Sequence, residues 1–142
     1  MTYMPIESSL VLNYNSGIIL LVDNTNPKMP QYSLPYETSG FRNDNDCHAM
    51  QIAKAQTGLD IALENQGSPV HVYSNPRRNP EMHKQGIIVP WLTYYAKGKG
   101  TLRSEYQGKQ VKAFSIDEII NLLDQNLFLF DHETVVKDYL HH

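Results

Sequence analysis

Two adjacent arginines, Arg77 and Arg78, stand in the polar, proline-bounded stretch Ser74-Asn75-Pro76-Arg77-Arg78-Asn79-Pro80. Guanidinium forks match phosphate oxygens, so the pair could clamp a diphosphate; the other reading is an ordinary solvated loop. The loop from Asn75 to Gln85 is about eleven residues long, a length at which function is a reasonable suspicion. Arg42, in a second polar stretch, has the same two readings. Glu37, Asp44 and Asp46 are the acids near it. They could hold a hard divalent cation, or serve only as loop and helix-cap residues. His48, His71 and His83 share no metal-ligand spacing. His132 follows a helix-capping position and is either a ligand contact or a structural histidine packed under the helix. Cys47 lies at a helix start, where a thiol pKa can fall, or is a buried inert cysteine. Trp91, Tyr94 and Tyr95 are core or dimer-interface aromatics, or supply one ring to stack on an adenine.

These residues need elements to hold them. Ser8–Tyr14 and Gly17–Asp23 are two β-runs, joined by turn residues that predict a hairpin. The second run is almost continuously apolar, which suits a central strand. Asn24–Tyr32 reads as a loop. Leu34-Pro35 ends an extended segment, and Tyr36–Asn45 has loop composition. Asp44, Asn45 or Asp46 can cap a helix of about three turns. That helix carries small residues at Ala49 and Ala53 and ends at Gly58, which suits a left-handed C′ position. Asp60–Leu63 and Val70–Ser74 read as short strands. Gly86–Ala96 is the strongest strand, with Pro90 implying an edge or a bulge. Lys97–Gly100 reads as a hairpin turn, followed by short strands at Thr101–Tyr106 and Val111–Phe114. Ser115-Ile116-Asp117-Glu118 is a capping box that opens a helix to about Asp124. A last helix runs from Asp131 to about Leu140, with Val135, Val136 and Tyr139 facing inward. This order predicts an α/β fold, an α/β/α sandwich around a mixed β-sheet.

The stretch Leu34–Leu59 resembles the Nudix box. That family's motif has a glycine, a glutamate six residues on, then Arg-Glu, Glu-Glu, a glycine and an apolar residue, usually preceded by Leu-Pro-Gly. Leu34-Pro35, Ala49, Ala53, Thr57, Gly58 and Leu59 fall on family positions without a gap. Glu37 stands where the motif glycine belongs, and Asn43 where the first glutamate does. Gln51 and Ile52 replace Arg-Glu, while Ala55 and Gln56 replace Glu-Glu. In active members those glutamates hold magnesium or manganese against a pyrophosphate. Hard cations need carboxylate oxygens, which Ile52 and Ala55 do not have. Val111–Ile120 and Phe130-Asp131-His132 also look like the tail of ADP-ribose pyrophosphatases and of Nudix-related regulators of NAD metabolism. The Arg77-Arg78 loop is similar to the Arg-Asp-Pro-Arg loop of that branch, without its last arginine. The resemblance implies a single Nudix-like domain over residues 1–142. Its ligand-binding candidates are Tyr36, Arg42, Arg77, Arg78 and His132.

Composition narrows the partners. The 142 residues are 41% hydrophobic and 19% charged, as in ordinary soluble domains. A formal net charge of −3 argues against bulk binding to nucleic acid or acidic membrane. One cysteine cannot form an internal disulfide, and no signal peptide or long apolar run is visible, so a cytoplasmic setting is expected. Regulators of the resembled branch carry a winged-helix DNA-binding domain after the Nudix-like one; residues 1–142 contain none. Many members are homodimers, and Gly86–Ala96 could mediate the same contact here.

Three functions follow from these readings. The first is a domain that binds an ADP-ribose-like or other nucleoside diphosphate without hydrolysing it, with no cofactor expected. The second is a divergent hydrolase using magnesium or manganese at a site rebuilt from Glu37, Asp44, Asp46 or a later acid such as Glu105 or Glu118. The third is a scaffold whose pocket is filled by Tyr36, Ile52 and their neighbours.

Overall fold

The computed structural model describes residues 5–40, 45–65, 69–73, 81, 84–86, 91–129 and 132–141. Among the described residues nine strands form one mixed sheet: β1 (Pro5–Tyr14), β2 (Gly17–Asp23), β3 (Gln31–Ser33), β4 (Tyr36–Gly40), β5 (Asp60–Leu63), β6 (His71–Tyr73), β7 (Trp91–Lys99), β8 (Glu105–Tyr106) and β9 (Lys109–Phe114). Helices α1 (Asn45–Thr57), α2 (Ile116–Leu123) and α3 (His132–Leu140) cover it. The central path is β5-β7-β1-β2-β9-β8, with β4 on β1, β3 on β2 and β6 on β7. β1 and β7 run parallel from Glu7↔Trp91 to Asn13↔Lys97, and the other pairs are antiparallel.

Both faces of the sheet are buried, which explains the almost continuous apolar run of β2. Leu10, Leu12, Ile19, Leu21, Tyr94 and Ala96 pack with Ala49 and Ala53 of α1. Val11, Ile18, Leu20, Val22, Trp91 and Tyr95 pack with Ile119 and Leu123 of α2 and Val135 and Val136 of α3. The alternation along each strand therefore feeds two cores, one per layer. This is the expected α/β/α arrangement with a mixed sheet.

Local signals in the sequence act as expected at several points. Asn15 and Ser16 both have positive φ, 50° and 66°, in the two-residue turn that joins β1 to β2. Gly58 takes φ 77° and donates its N–H to Lys54 O at 2.8 Å, ending α1. Ser115 and Glu118 form both halves of the capping box of α2. Val135 and Val136 are wholly buried, and Tyr139 meets Tyr95 edge to face at 5.0 Å.

Several segments differ from expectation. Lys97-Gly98-Lys99 is strand, paired with Asp60–Ala62 of β5, rather than a hairpin turn. Gly98 is used for close packing: a Cβ there would come within 2.8 Å of Leu59 Cδ1 and 3.3 Å of Leu12 Cδ1. Gln31–Ser33 and Tyr36–Gly40 are strands inside stretches of loop composition, because the edges of β2 and β1 supply backbone partners whatever the side chains. Of Thr101–Tyr106 only Glu105–Tyr106 is strand. β7 is an interior strand, with β1 on one edge and β5 and β6 on the other, so it is no sheet edge. Pro90 lies outside the described residues.

Two outcomes are expected. Gly98→Val should lower unfolding stability by about 1–3 kcal/mol through overpacking against Leu59 and Leu12, measured by denaturant titration; an unchanged midpoint would return Gly98 to a turn role. The Ser115 backbone N–H, then its side chain, hold Glu118 below the ordinary glutamate range. A depressed folded pKa stabilises above the unfolded value and is lost as pH falls through the folded one. The stability gap between wild type and Glu118→Gln should therefore shrink on acidification through the glutamate range.

Candidate functional site

The C-terminal half of α1 borders a cavity of about 280 Å³, lined by Leu21, Tyr36, Glu37, Gln56, Tyr106, Gln107 and Lys109. Four separate elements build it. β2 supplies the apolar floor at Leu21, β4 supplies Tyr36 and Glu37, α1 supplies Gln56, and the β8–β9 hairpin supplies the rest. That hairpin closes through Gln107 and Gly108, with φ 50° and 81°, the geometry of a two-residue turn that matches strand twist. Glu105 Oε1 accepts the Gly108 N–H at 2.6 Å and fixes the turn. Lys109 is half-buried, and its Nζ stands 5.9 Å from the Tyr36 ring centroid.

Helix α1 presents its motif positions unequally. Ile52 is 3% exposed and Gln56 6%, whereas Gln51 and Ala55 face solvent. The Gln56 carboxamide donates from Nε2 to Tyr36 O at 2.8 Å, tying the helix to β4. Its Oε1 is buried with no hydrogen-bond partner among the described residues. Arg103 locks the same end of the helix: its Nη1 donates to Ala55 O at 2.8 Å and its Nε to Glu105 O at 2.7 Å. Its backbone N–H reaches Thr57 O at 2.9 Å. A cation on the last carbonyls of a helix is favoured by both the orphan acceptors and the helix dipole.

Behind Tyr36 lies a buried polar cluster. His132 is wholly buried, and its Nδ1 accepts the Leu34 N–H at 3.0 Å. Accepting at Nδ1 requires the neutral imidazole with its proton on Nε2. Nε2 sits 3.6 Å from Glu7 Oε1; with the ring neutral, this contact is a dipole facing a carboxyl group rather than a full ion pair. Trp91 stacks on the imidazole at 5.4 Å, and Tyr36 meets it edge to face at 5.1 Å. Trp91 Nε1 donates to Ser9 Oγ, which lies 3.3 Å from Thr93 Oγ1. Burial pushes the Tyr36 phenol above its ordinary value, so it stays protonated.

Of the residues singled out from sequence, Tyr36 and Glu37 line the cavity, and His132 bears on it through Tyr36. Arg42, Asp44, Arg77, Arg78 and the side chain of Asp46 lie outside the described residues. Glu105 and Glu118 hold a turn and a helix cap. Among the described residues no group of three His, Cys, Asp or Glu side chains could hold a metal ion. Cys47 is exposed in α1 rather than buried, and Trp91, Tyr94 and Tyr95 belong to the cores. Sequence reasoning missed Gln56 as a tie to β4, and missed Tyr106, Gln107 and Lys109. Their one local signal is the Gln107-Gly108 turn, and nothing in it says that the turn stands beside α1.

No protein-family model matches the sequence, and a search of curated proteins finds no match. Solved structures do match. A NUDIX-family hydrolase from Clostridium perfringens superposes with a TM-score of 0.69 at 12% identity, covering 99% of this chain and 98% of that one. A possible asymmetric diadenosine tetraphosphate hydrolase from Jonesia denitrificans gives 0.72 at 13% identity, over 100% and 94% of the two chains. The chain has the Nudix fold. The NUDIX domain of Shewanella oneidensis NrtR, solved in complex with ADP ribose, gives 0.65 at 12% identity over 99% and 89%. The described residues of the box-like segment Leu34–Leu59 include β4 and α1, which border the cavity.

His132 should be a structural keystone of this region. His132→Ala should cost about 3 kcal/mol or more, combining a ring-sized cavity with an unpaired Leu34 N–H. Denaturant unfolding measures it; a loss below about 1 kcal/mol would show that the imidazole does not hold the β4 segment.

Proposed function

We propose that this Nudix-fold domain has lost the catalytic glutamates of the box and binds an ADP-ribose-like or other nucleoside diphosphate without hydrolysing it. The observation that carries the reading is the make-up of α1 at the box positions. Ile52 fills its place with buried hydrocarbon, Ala55 has no ligating atom, and Gln56 commits its amide to Tyr36 O. This donor set does not fit a hard divalent cation, which requires several carboxylate oxygens. The cavity beside Tyr36 and Gln56 favours binding over a scaffold with a filled pocket. At about 280 Å³ it lies near the lower end of small-molecule sites, so it holds one ring or phosphate group of a larger ligand. Arg77 and Arg78 are the further phosphate contacts in this reading, and the ADP ribose bound by the NrtR domain is a ligand of the same class. Among the described residues no helix is long and apolar enough to cross a membrane.

Phosphorus NMR of ADP-ribose tests it. With the protein, the diphosphate signals should broaden or shift, and no monophosphate signal should grow with or without magnesium. Monophosphate signals that need both protein and magnesium would establish the divergent hydrolase instead. An unchanged spectrum at millimolar ligand would remove nucleotide binding from this domain.

A further inference from the structure

We propose that Lys109 takes the place of a divalent cation in this cavity, so that the site recognises a diphosphate in a metal-independent way. The inference rests on the binding function proposed above and specifies its charge chemistry. Lys109 and Gln56 line the same cavity. A glutamate at position 56 would offer Lys109 a carboxylate; the amide that stands there is neutral and is bonded to Tyr36 O. Among the described residues, Lys109 Nζ forms no ion pair. Its ammonium is instead placed near the Tyr36 ring, at 5.9 Å from the centroid, and its backbone is held opposite Tyr106 in the tight β8–β9 hairpin. After the Thr25 hydrogen bonds, the Lys109 charge helps to hold the Asp23 carboxyl below its ordinary range, but no carboxylate among the described residues contacts Nζ. A half-buried cation without a contacting counter-ion is a binding point for an external anion.

Among the described residues Glu37 is the one carboxylate lining the cavity, and it is exposed. Water and salt screen an exposed charge more than a half-buried one, so the Lys109 field dominates inside and Glu37 weakens anion entry only at the mouth. Gln107, beside Lys109, adds an amide donor, and Tyr36 and Tyr106 supply two rings at the same opening. The ligand class is a phosphate or diphosphate group attached to a planar ring or sugar.

Isothermal titration with ADP and with inorganic pyrophosphate, each in EDTA and in excess magnesium, tests the inference. ADP should bind in EDTA, and magnesium should leave the affinity unchanged or lower it, since it neutralises part of the ligand charge. Lys109→Gln should weaken ADP binding about tenfold or more, the usual size of one charge-assisted hydrogen bond, with an unchanged melting temperature. Lys109→Arg should retain most of the affinity, and Glu37→Gln should bind as tightly as wild type or tighter. Pyrophosphate binding that also depends on Lys109 would assign the contact to the phosphates. Binding that requires magnesium, or an affinity indifferent to Lys109→Gln, would overturn the inference and leave nucleotide binding standing. Failure to bind ADP, pyrophosphate and ADP-ribose under every condition would overturn both.

Discussion

β1 is the constraint on which the other parts depend. One edge is bonded to β7 from Glu7 to Asn13, and the other to β4 from Pro5 to Ser9 and then to β2 at Asn13 and Tyr14. Leu10 N–H, between those two partners, donates to Pro35 O at 3.1 Å. A strand so enclosed cannot leave backbone groups unpaired, because an orphan donor or acceptor at this depth is costly. It therefore imposes strand geometry on Tyr36–Gly40 despite that segment's polar composition. The wall of the cavity follows from this pairing.

The same enclosure carries polar groups that a simple apolar core would exclude. Glu7, Ser8, Ser9, Thr93 and His132 are all buried. They surround the place where β4 begins, and the Leu34 N–H bond to His132 fixes that point from the α3 side. Burial raises the strength of each hydrogen bond and the cost of breaking it. The polar cluster thus gives the β4 wall a single position, and Tyr36 on that wall lines the cavity. The clamp of Arg103 on the last carbonyls of α1 does the corresponding work for the helix.

The neighbours in fold include hydrolases, while here α1 gives the cavity Gln56, and the box positions Ile52 and Ala55 are respectively buried and exposed to solvent. Fold likeness at 12–13% identity speaks for the backbone and leaves the chemistry to the side chains.

Much of the framework was legible in sequence because it rests on local rules. The β1–β2 turn, the Gly58 stop, the Ser115–Glu118 box and the inward face of α3 each depend on residues close in the chain. The resemblance at Leu34–Leu59 located the helix and loop that border the cavity, and Tyr36 with them. Where local rules failed, a distant partner decided. Gly98 reads as a turn glycine until Leu59 and Leu12 are packed against it, and Gln31–Ser33 reads as loop until β2 offers its edge. Lys109 carried no signal at all, since its role depends on a neighbour 53 positions away at Gln56 and 73 away at Tyr36. By itself the sequence determined the elements that rest on local rules and the residue types at the box positions. Only the tertiary structure decided which side chains share a cavity, because that proximity is set by sheet order and helix packing, which no local pattern encodes.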